Sequence, residues 1–192
     1  MRKIFLALCF FAFSIPGAFG ANGFYAGANL QWGSLEANDF QGVSVNFEDL
    51  QLGYKIFGGY QFHDLGFLDY FAVEASWEDF VTFEDEFFVG GLRQRAEVDV
   101  DGYTVALLGV VPTGDVFGVF GKAGYFDLEG EVELDKLKVG DFSNDGLLLG
   151  LGVTARANRN IALRLEYTWF DTDDATTWTI GFGAQWNFGG SD

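Results

Sequence analysis

Between residues 161 and 169 the chain alternates strictly between apolar side chains and polar or small ones. The apolar positions are Ile161, Leu163, Leu165, Tyr167 and Trp169, and the positions between them hold Ala162, Arg164, Glu166 and Thr168. Successive side chains of a β-strand point to opposite faces, so this period of two predicts a strand with one apolar face. The fold must therefore cover one face of such a strand with apolar material.

Seven other segments show the same pattern, separated by clusters of Asp, Asn, Gly and Pro. The eight predicted strands are 24–32, 52–62, 68–77, 98–111, 116–126, 147–156, 161–169 and 178–188. The composition agrees, because the chain has 27 Gly, 23 Phe, 7 Tyr and 5 Trp but only 2 Pro. Such a composition favours an all-β fold, in which strands need either bulky side chains or close backbone approach.

The links between the predicted strands alternate in length. Short links fall at 63–67, 112–115 and 157–160, and long ones at 33–51, 78–97 and 127–146. Short turns on one side and long loops on the other are typical of an eight-stranded antiparallel up-and-down transmembrane β-barrel. In such a barrel the short turns are periplasmic and the long loops extracellular.

The first twenty residues have the features of a secretory signal peptide. Arg2 and Lys3 precede an apolar stretch at 4–15, and small residues at 18 and 20 predict cleavage after Gly20. We therefore expect a signal peptide at 1–20 and a barrel domain at 21–192. The only cysteine, Cys9, lies in the predicted signal, so we expect no thiol chemistry in the mature chain. The net charge of −17 argues against nucleic acid as a partner.

The polarity of the two faces distinguishes a membrane barrel from a soluble secreted barrel with eight strands. The second face holds mostly Gly, Ala, Thr, Gln and Asn, which suits the narrow interior of a barrel better than a surface in water. The apolar face carries aromatic residues near its ends, as in the girdles of membrane barrels. These residues are Trp32, Tyr54, Phe62, Trp77, Tyr125, Trp169, Trp178, Trp186 and Phe188. We expect a monomer in the bacterial outer membrane, in contact with its lipid and lipopolysaccharide.

Several segments together resemble one family of membrane barrels. They are Gly53-Tyr54-Lys55-Ile56-Phe57-Gly58-Gly59-Tyr60, Val73-Glu74-Ala75, Phe120-Gly121-Lys122-Ala123-Gly124-Tyr125, Arg164-Leu165-Glu166-Tyr167 and the last strand through Phe188. In order and spacing the chain resembles the OmpA-like and OmpX-like small outer-membrane barrels, without a peptidoglycan-binding domain. The resemblance implies that the barrel assembly machinery recognises the last strand through Trp186 and Phe188. Four residues, 189–192, follow Phe188, whereas the family signal usually ends the chain.

Five charged residues lie on the predicted inner face at similar distances from their periplasmic turns. They are Lys55, Glu74, Lys122, Arg164 and Glu166. We expect them to form a hydrogen-bonded network in the lumen, since an unpaired charge there would be unfavourable. One interpretation is a structural plug. The resemblance also implies a gate, in which such pairs exchange partners to open a narrow pore.

No catalytic, cofactor or metal site is predicted. The only histidine, His63, falls in a predicted periplasmic turn away from any strand serine, and no histidine-rich metal cluster is present. The acidic loops are interpreted as a solvated coat or as sites for divalent cations that bridge to lipopolysaccharide. Phenylalanines at 80–88 either extend a hairpin or form an adhesive patch. The sequence thus predicts a structural or surface-interacting barrel, with a small low-conductance channel as the alternative.

Overall fold

The computed structural model describes residues 23–37, 46–65, 68–89, 92–134, 137–171 and 175–188. Eight strands account for almost all of them: β1 (Gly23–Ala37), β2 (Asn46–Leu65), β3 (Leu68–Val89), β4 (Leu92–Pro112), β5 (Phe117–Leu134), β6 (Leu137–Arg156), β7 (Ile161–Asp171) and β8 (Ala175–Phe188). The predicted signal peptide lies outside the described residues and stays a prediction. No helix in the described ranges is long and apolar enough to cross a membrane.

Each strand pairs antiparallel with the next one in the chain, and β8 pairs with β1 to close the barrel. The closing seam brings Phe188 opposite Phe24. Following paired residues once around the barrel from Tyr25 leads back to β1 at Leu35, so the strands are strongly tilted. The predicted eight-stranded antiparallel up-and-down barrel is confirmed.

The side chains alternate between lumen and exterior as the sequence pattern predicts. In β4, where the alternation is least regular, Leu108 is buried while its neighbour Leu107 faces outward and is exposed. Phe57, a bulky apolar residue on the polar face of the predicted strand 52–62, points into the lumen and is 2% exposed. The exposed residues include 27 large hydrophobics, a surface of the kind that a membrane covers.

The prediction of long loops at 33–51, 78–97 and 127–146 is wrong for most of these residues. β3 and β4 continue as a ladder to Val89 opposite Leu92, and β5 and β6 continue to Leu134 opposite Leu137. The error arose where acidic residues replace apolar ones on the outward face. A ladder that leaves the membrane keeps its hydrogen bonds, while its outer face changes from lipid to water and becomes polar.

The opposite end of the barrel has tight connections. In the turn between β4 and β5, the Thr113 amide donates to the Phe117 carbonyl at 2.9 Å. Gly114 in this turn has a φ angle of 141°, a backbone conformation that residues other than glycine rarely adopt. Between β6 and β7, the Asn158 side chain accepts hydrogen bonds from the amides of Asn160 and Ile161 at 2.9 Å each. These turns fix the register of two hairpins.

Candidate functional site

A layer of six charged side chains crosses the middle of the lumen, and we call it the charged layer. Its members are Lys55, Glu74, Glu78, Lys122, Arg164 and Glu166, all at most 5% exposed. The structure brings the five residues singled out in the sequence into one cluster and adds Glu78. Three cations face three carboxylates, so the layer is neutral when every member is ionised.

Arg164 connects two walls of the barrel. It lies on β7 and Glu74 on β3, which are four strands apart in either direction around the ring. The Nη1 atom of Arg164 lies 2.6 Å from Oε2 of Glu74, and its Nη2 atom lies 2.8 Å from Oε2 of Glu166. This guanidinium therefore holds a carboxylate across the full width of the lumen.

The two lysines converge on one oxygen. Oε1 of Glu166 accepts from Nζ of Lys55 at 2.7 Å and from Nζ of Lys122 at 3.1 Å. The same Nζ of Lys55 lies 3.7 Å from Glu74 and 3.8 Å from Glu78. Lys55 therefore has three carboxylates within salt-bridge distance.

Neutral groups complete the hydrogen bonding of the carboxylates. The hydroxyl of Tyr25 donates to Glu74 at 3.0 Å, and Gln31 and Ser76 each donate to Glu78 at 3.3 Å. A buried charge requires both a counter-charge and hydrogen bonds to offset its lost hydration. The charged layer has both, so its geometry fits a stable plug.

Aromatic rings flank Arg164 on the periplasmic side of the layer. The Cζ atom of Arg164 lies 4.4 Å from the ring centroid of Phe57 and 4.9 Å from that of Phe120, which is favourable cation–π geometry. The rings fit because glycines leave room for them. A Cβ on Gly27 would overlap the Phe57 ring, and one on Gly152 would overlap the Phe120 ring.

Apolar side chains fill the lumen on the extracellular side of the layer. The rings of Phe80 and Phe170 have centroids 6.3 Å apart, and those of Phe126 and Phe170 lie 5.3 Å apart. Leu128 and Leu148 are buried in the same core. The charged layer is thus bounded by aromatic rings on both sides.

The sequence pattern did not predict two features of this site. Glu78 was assigned to a loop, although it follows Glu74 by an even number of residues and so shares its inward face. Extending the period-two pattern past Trp77 would have found it. The apolar core above the layer was missed for the same reason, since Phe80 lies in the same stretch.

His63 is not in a turn, as was predicted, but near the end of β2. Its ring centroid lies 5.5 Å from that of Tyr70 at the periplasmic mouth of the lumen. Within the part of the chain that the structure describes, no group of His, Cys, Asp or Glu is arranged to hold a metal ion.

A family model described as the outer membrane protein β-barrel domain matches residues 5–188. The chain belongs to this family. As a member of it, the protein is a β-barrel of the bacterial outer membrane. No curated protein sequence matches the chain.

Solved structures share the fold at low sequence identity. One is Ail, the attachment invasion locus protein of Yersinia pestis, in complex with the heparin analogue sucrose octasulfate. It is 15% identical with a TM-score of 0.61, and the match covers 87% of this chain and 99% of Ail. Neisserial surface protein A is 14% identical with a TM-score of 0.61, covering 86% and 97%. OprG from Pseudomonas aeruginosa is 13% identical with a TM-score of 0.59, covering 90% and 98%.

The outer wall of this family member shows where the membrane ends. Toward the extracellular side, Tyr54 donates to Asp79 at 3.0 Å, and the indole of Trp77 donates to Asp101 at 3.3 Å. The hydroxyl of Tyr125 similarly donates to a carboxylate on the neighbouring strand. Rings that face lipid while their polar atoms bind carboxylates are typical of a membrane interface.

At the periplasmic end, the two residues of the predicted assembly signal lie on the outer face of β8. Trp186 is 51% exposed and Phe188 is 41% exposed. Both stand beside β1, with Trp186 opposite Ala26 and Phe188 opposite Phe24. An assembly factor that binds the last strand before closure would have access to both side chains.

Proposed function

We propose that the protein is a closed outer-membrane barrel with a structural or surface-interacting role. The observation that carries this proposal is the pairing of Arg164 with Glu74 across the lumen, within a layer of equal positive and negative charge. The layer leaves no unpaired charge to attract an ion, and its bonds join walls that the sheet does not join directly. Such cross-links stabilise the barrel as a rigid element of the membrane.

The surface role rests on the strands that continue beyond the membrane. Exposed carboxylates face outward there on β4, β5 and β6, including Asp101, Asp127, Glu129, Asp141 and Asp145. Ail was solved with a polyanion, but an acidic surface repels polyanions. We therefore expect this chain to contact lipopolysaccharide through divalent cations or to bind cationic partners, and not to bind heparin-like chains.

The proposal extends to biogenesis and assembly state. We expect the barrel assembly machinery to recognise the last strand through Trp186 and Phe188, and the folded protein to remain a monomer. The closed ring of eight strands supports the second expectation, because it leaves no unpaired edge around the membrane-spanning part.

A small gated channel is the second candidate, and the position of Lys55 favours it. Because its ammonium lies within salt-bridge distance of three carboxylates, it has alternative partners without a large movement. Exchange between Glu166 and Glu78 would rearrange the layer, as the resemblance to the OmpA-like barrels implies.

Conductance in planar bilayers separates the two candidates. The parent protein, the Glu74→Ala variant and an exposed control, Glu129→Ala, are compared at equal amounts of heat-modifiable, folded barrel. We expect no resolved openings from the parent or the control. Regular openings of the parent, changed by Glu74→Ala but not by Glu129→Ala, would replace the closed barrel with the gated channel.

The structural role is tested in cells. A strain that lacks the protein should become more sensitive to detergent, and the parent gene should restore resistance. If a variant with substituted extracellular carboxylates also restores detergent resistance, the effect comes from the membrane-spanning barrel and not from its extracellular surface.

A further inference from the structure

We infer that the permeability barrier of this barrel is not the charged layer but an aromatic seal formed by Phe80, Phe126 and Phe170. The inference rests on the closed lumen proposed above and locates the closure. It makes three phenylalanines, which carry no charge, the residues that determine permeability.

The seal spans the whole lumen. Phe80 lies on β3 and Phe170 on β7, on opposite sides of the ring, and their ring centroids are only 6.3 Å apart. Phe126 on β5 packs edge-on against Phe170 at 5.3 Å. Phe126 and Phe170 are 0% exposed and Phe80 is 7% exposed. Side chains from three walls thus meet at the centre.

The seal lies in series with the charged layer. On β3, Phe80 follows Glu78 toward the extracellular end; on β7, Phe170 follows Glu166; on β5, Phe126 follows Lys122. A solute that enters from the periplasm therefore passes Phe57 and Phe120 and then the charged layer before it reaches the seal. Rearrangement of the charged layer therefore does not open the seal.

The two layers oppose ions by different means. When side chains of the charged layer exchange partners, its carboxylates and ammonium groups can still interact with a passing ion and replace part of its lost hydration. Three phenyl rings offer no hydrogen bonds, and Leu128 and Leu148 extend this apolar surface, so an ion there loses hydration without replacement. Hydrophobic constrictions close pores to ions in this way even when they are not fully occluded.

Room for the seal is built into the neighbouring strand. A Cβ on Gly146 would lie 3.2 Å from the Phe126 ring, tighter than ordinary contact. The inward positions Thr177 and Thr179 of β8 carry short side chains. Because Gly146, Thr177 and Thr179 take up little space, the three phenylalanine rings can fill this cross-section of the lumen.

The test uses a cysteine placed between the two layers. Thr168 faces inward on β7 between Glu166 and Phe170 and is 1% exposed. Thr168→Cys is made in a Cys9→Ser background, and intact cells receive a membrane-impermeant, positively charged thiol reagent from outside. Asp171→Cys, on the outer face near the end of β7, is the accessible control.

Four backgrounds are compared: parent, Glu74→Gln, Phe170→Ala and Phe80→Ala, each shown to be folded by heat-modifiable migration. We expect little labelling of Thr168→Cys in the parent and in Glu74→Gln. In either phenylalanine variant we expect the labelling rate to rise about tenfold or more, which corresponds to a barrier lower by about 1.4 kcal/mol.

Either of two results would overturn the seal. One is labelling of Thr168→Cys in the parent or in Glu74→Gln at the rate of the phenylalanine variants, which would show that the three rings do not block access from the extracellular side. The other is no increase in a phenylalanine variant that is folded. Resolved conductance of the parent protein would instead overturn the closed lumen itself, so the two failures are distinguishable.

Discussion

Removing the guanidinium of Arg164 should destabilise the barrel strongly, because it leaves buried carboxylates without a counter-charge. Arg164 makes two short charge-assisted hydrogen bonds, at 2.6 Å to Glu74 and 2.8 Å to Glu166. Bonds of this kind contribute about 1.5–3 kcal/mol each. Breaking a buried ion pair by removing one partner costs about 3–5 kcal/mol. We therefore expect Arg164→Met to lower the free energy of unfolding by about 3–5 kcal/mol.

A double-mutant cycle isolates the pair. Glu74→Gln alone should also destabilise, since Arg164 then keeps only Glu166 as a carboxylate partner. In the double variant the remaining charges balance again, so its loss should be smaller than the sum of the single losses by about 1–3 kcal/mol.

The free energies are measured by urea unfolding of the barrel in lipid vesicles, followed by tryptophan fluorescence and by gel migration without boiling. Glu129→Gln, at an exposed carboxylate on the outer face of β5, is the control, with an expected change of about 0.5 kcal/mol or less. Additive losses in the cycle, or an Arg164→Met variant as stable as the control, would refute the proposed cross-link.

Three further predictions concern packing, the newly found carboxylate and biogenesis. Gly152→Ala should destabilise the barrel by about 1–3 kcal/mol, because the added methyl group would overlap the Phe120 ring and a backbone oxygen. The control Gly121→Ala should be close to neutral in the same urea assay, since its Cβ would meet nothing closer than 4.0 Å. Glu78→Gln should shift the urea midpoint less than Glu166→Gln, since Glu166 binds both lysines and an arginine; an equal shift would contradict this ranking. Phe188→Ala should lower the amount of folded protein in outer-membrane fractions without a matching loss of stability after refolding in vitro, and unchanged amounts would remove this residue from the assembly signal.

The inward and outward positions could be predicted because a strand offers only two faces. Once the apolar set of β7 is assigned to lipid, Arg164 and Glu166 must point into the lumen, and the same parity places Lys55 on β2 and Lys122 on β5. Convergence at one depth then follows from strand lengths counted from the periplasmic turns. Which carboxylate pairs with which cation did not follow, because that depends on the tilt of the strands and on rotamers.

The strand ends could not be predicted from the apolar pattern alone. That pattern records contact with lipid, and it stops at the membrane surface, whereas the hydrogen-bonded ladder does not. The predicted loop at 78–97 includes the outward residue Asp79, yet the inward residues on either side of it, Glu78 and Phe80, are both buried. Only the inner face carries information about structure beyond the membrane.

The apolar upper lumen accounts for that continuation. Strands outside the membrane lose the lipid that covers their outer face, so they need another apolar contact to remain paired. Phe80, Phe126 and Phe170 supply it by forming a core inside the extended barrel. In this view the seal has two linked roles, since the contacts that hold the strands together beyond the membrane also close the lumen. Substitutions that open the lumen at these rings should therefore also weaken the extracellular hairpins, whereas substitutions in the charged layer should not.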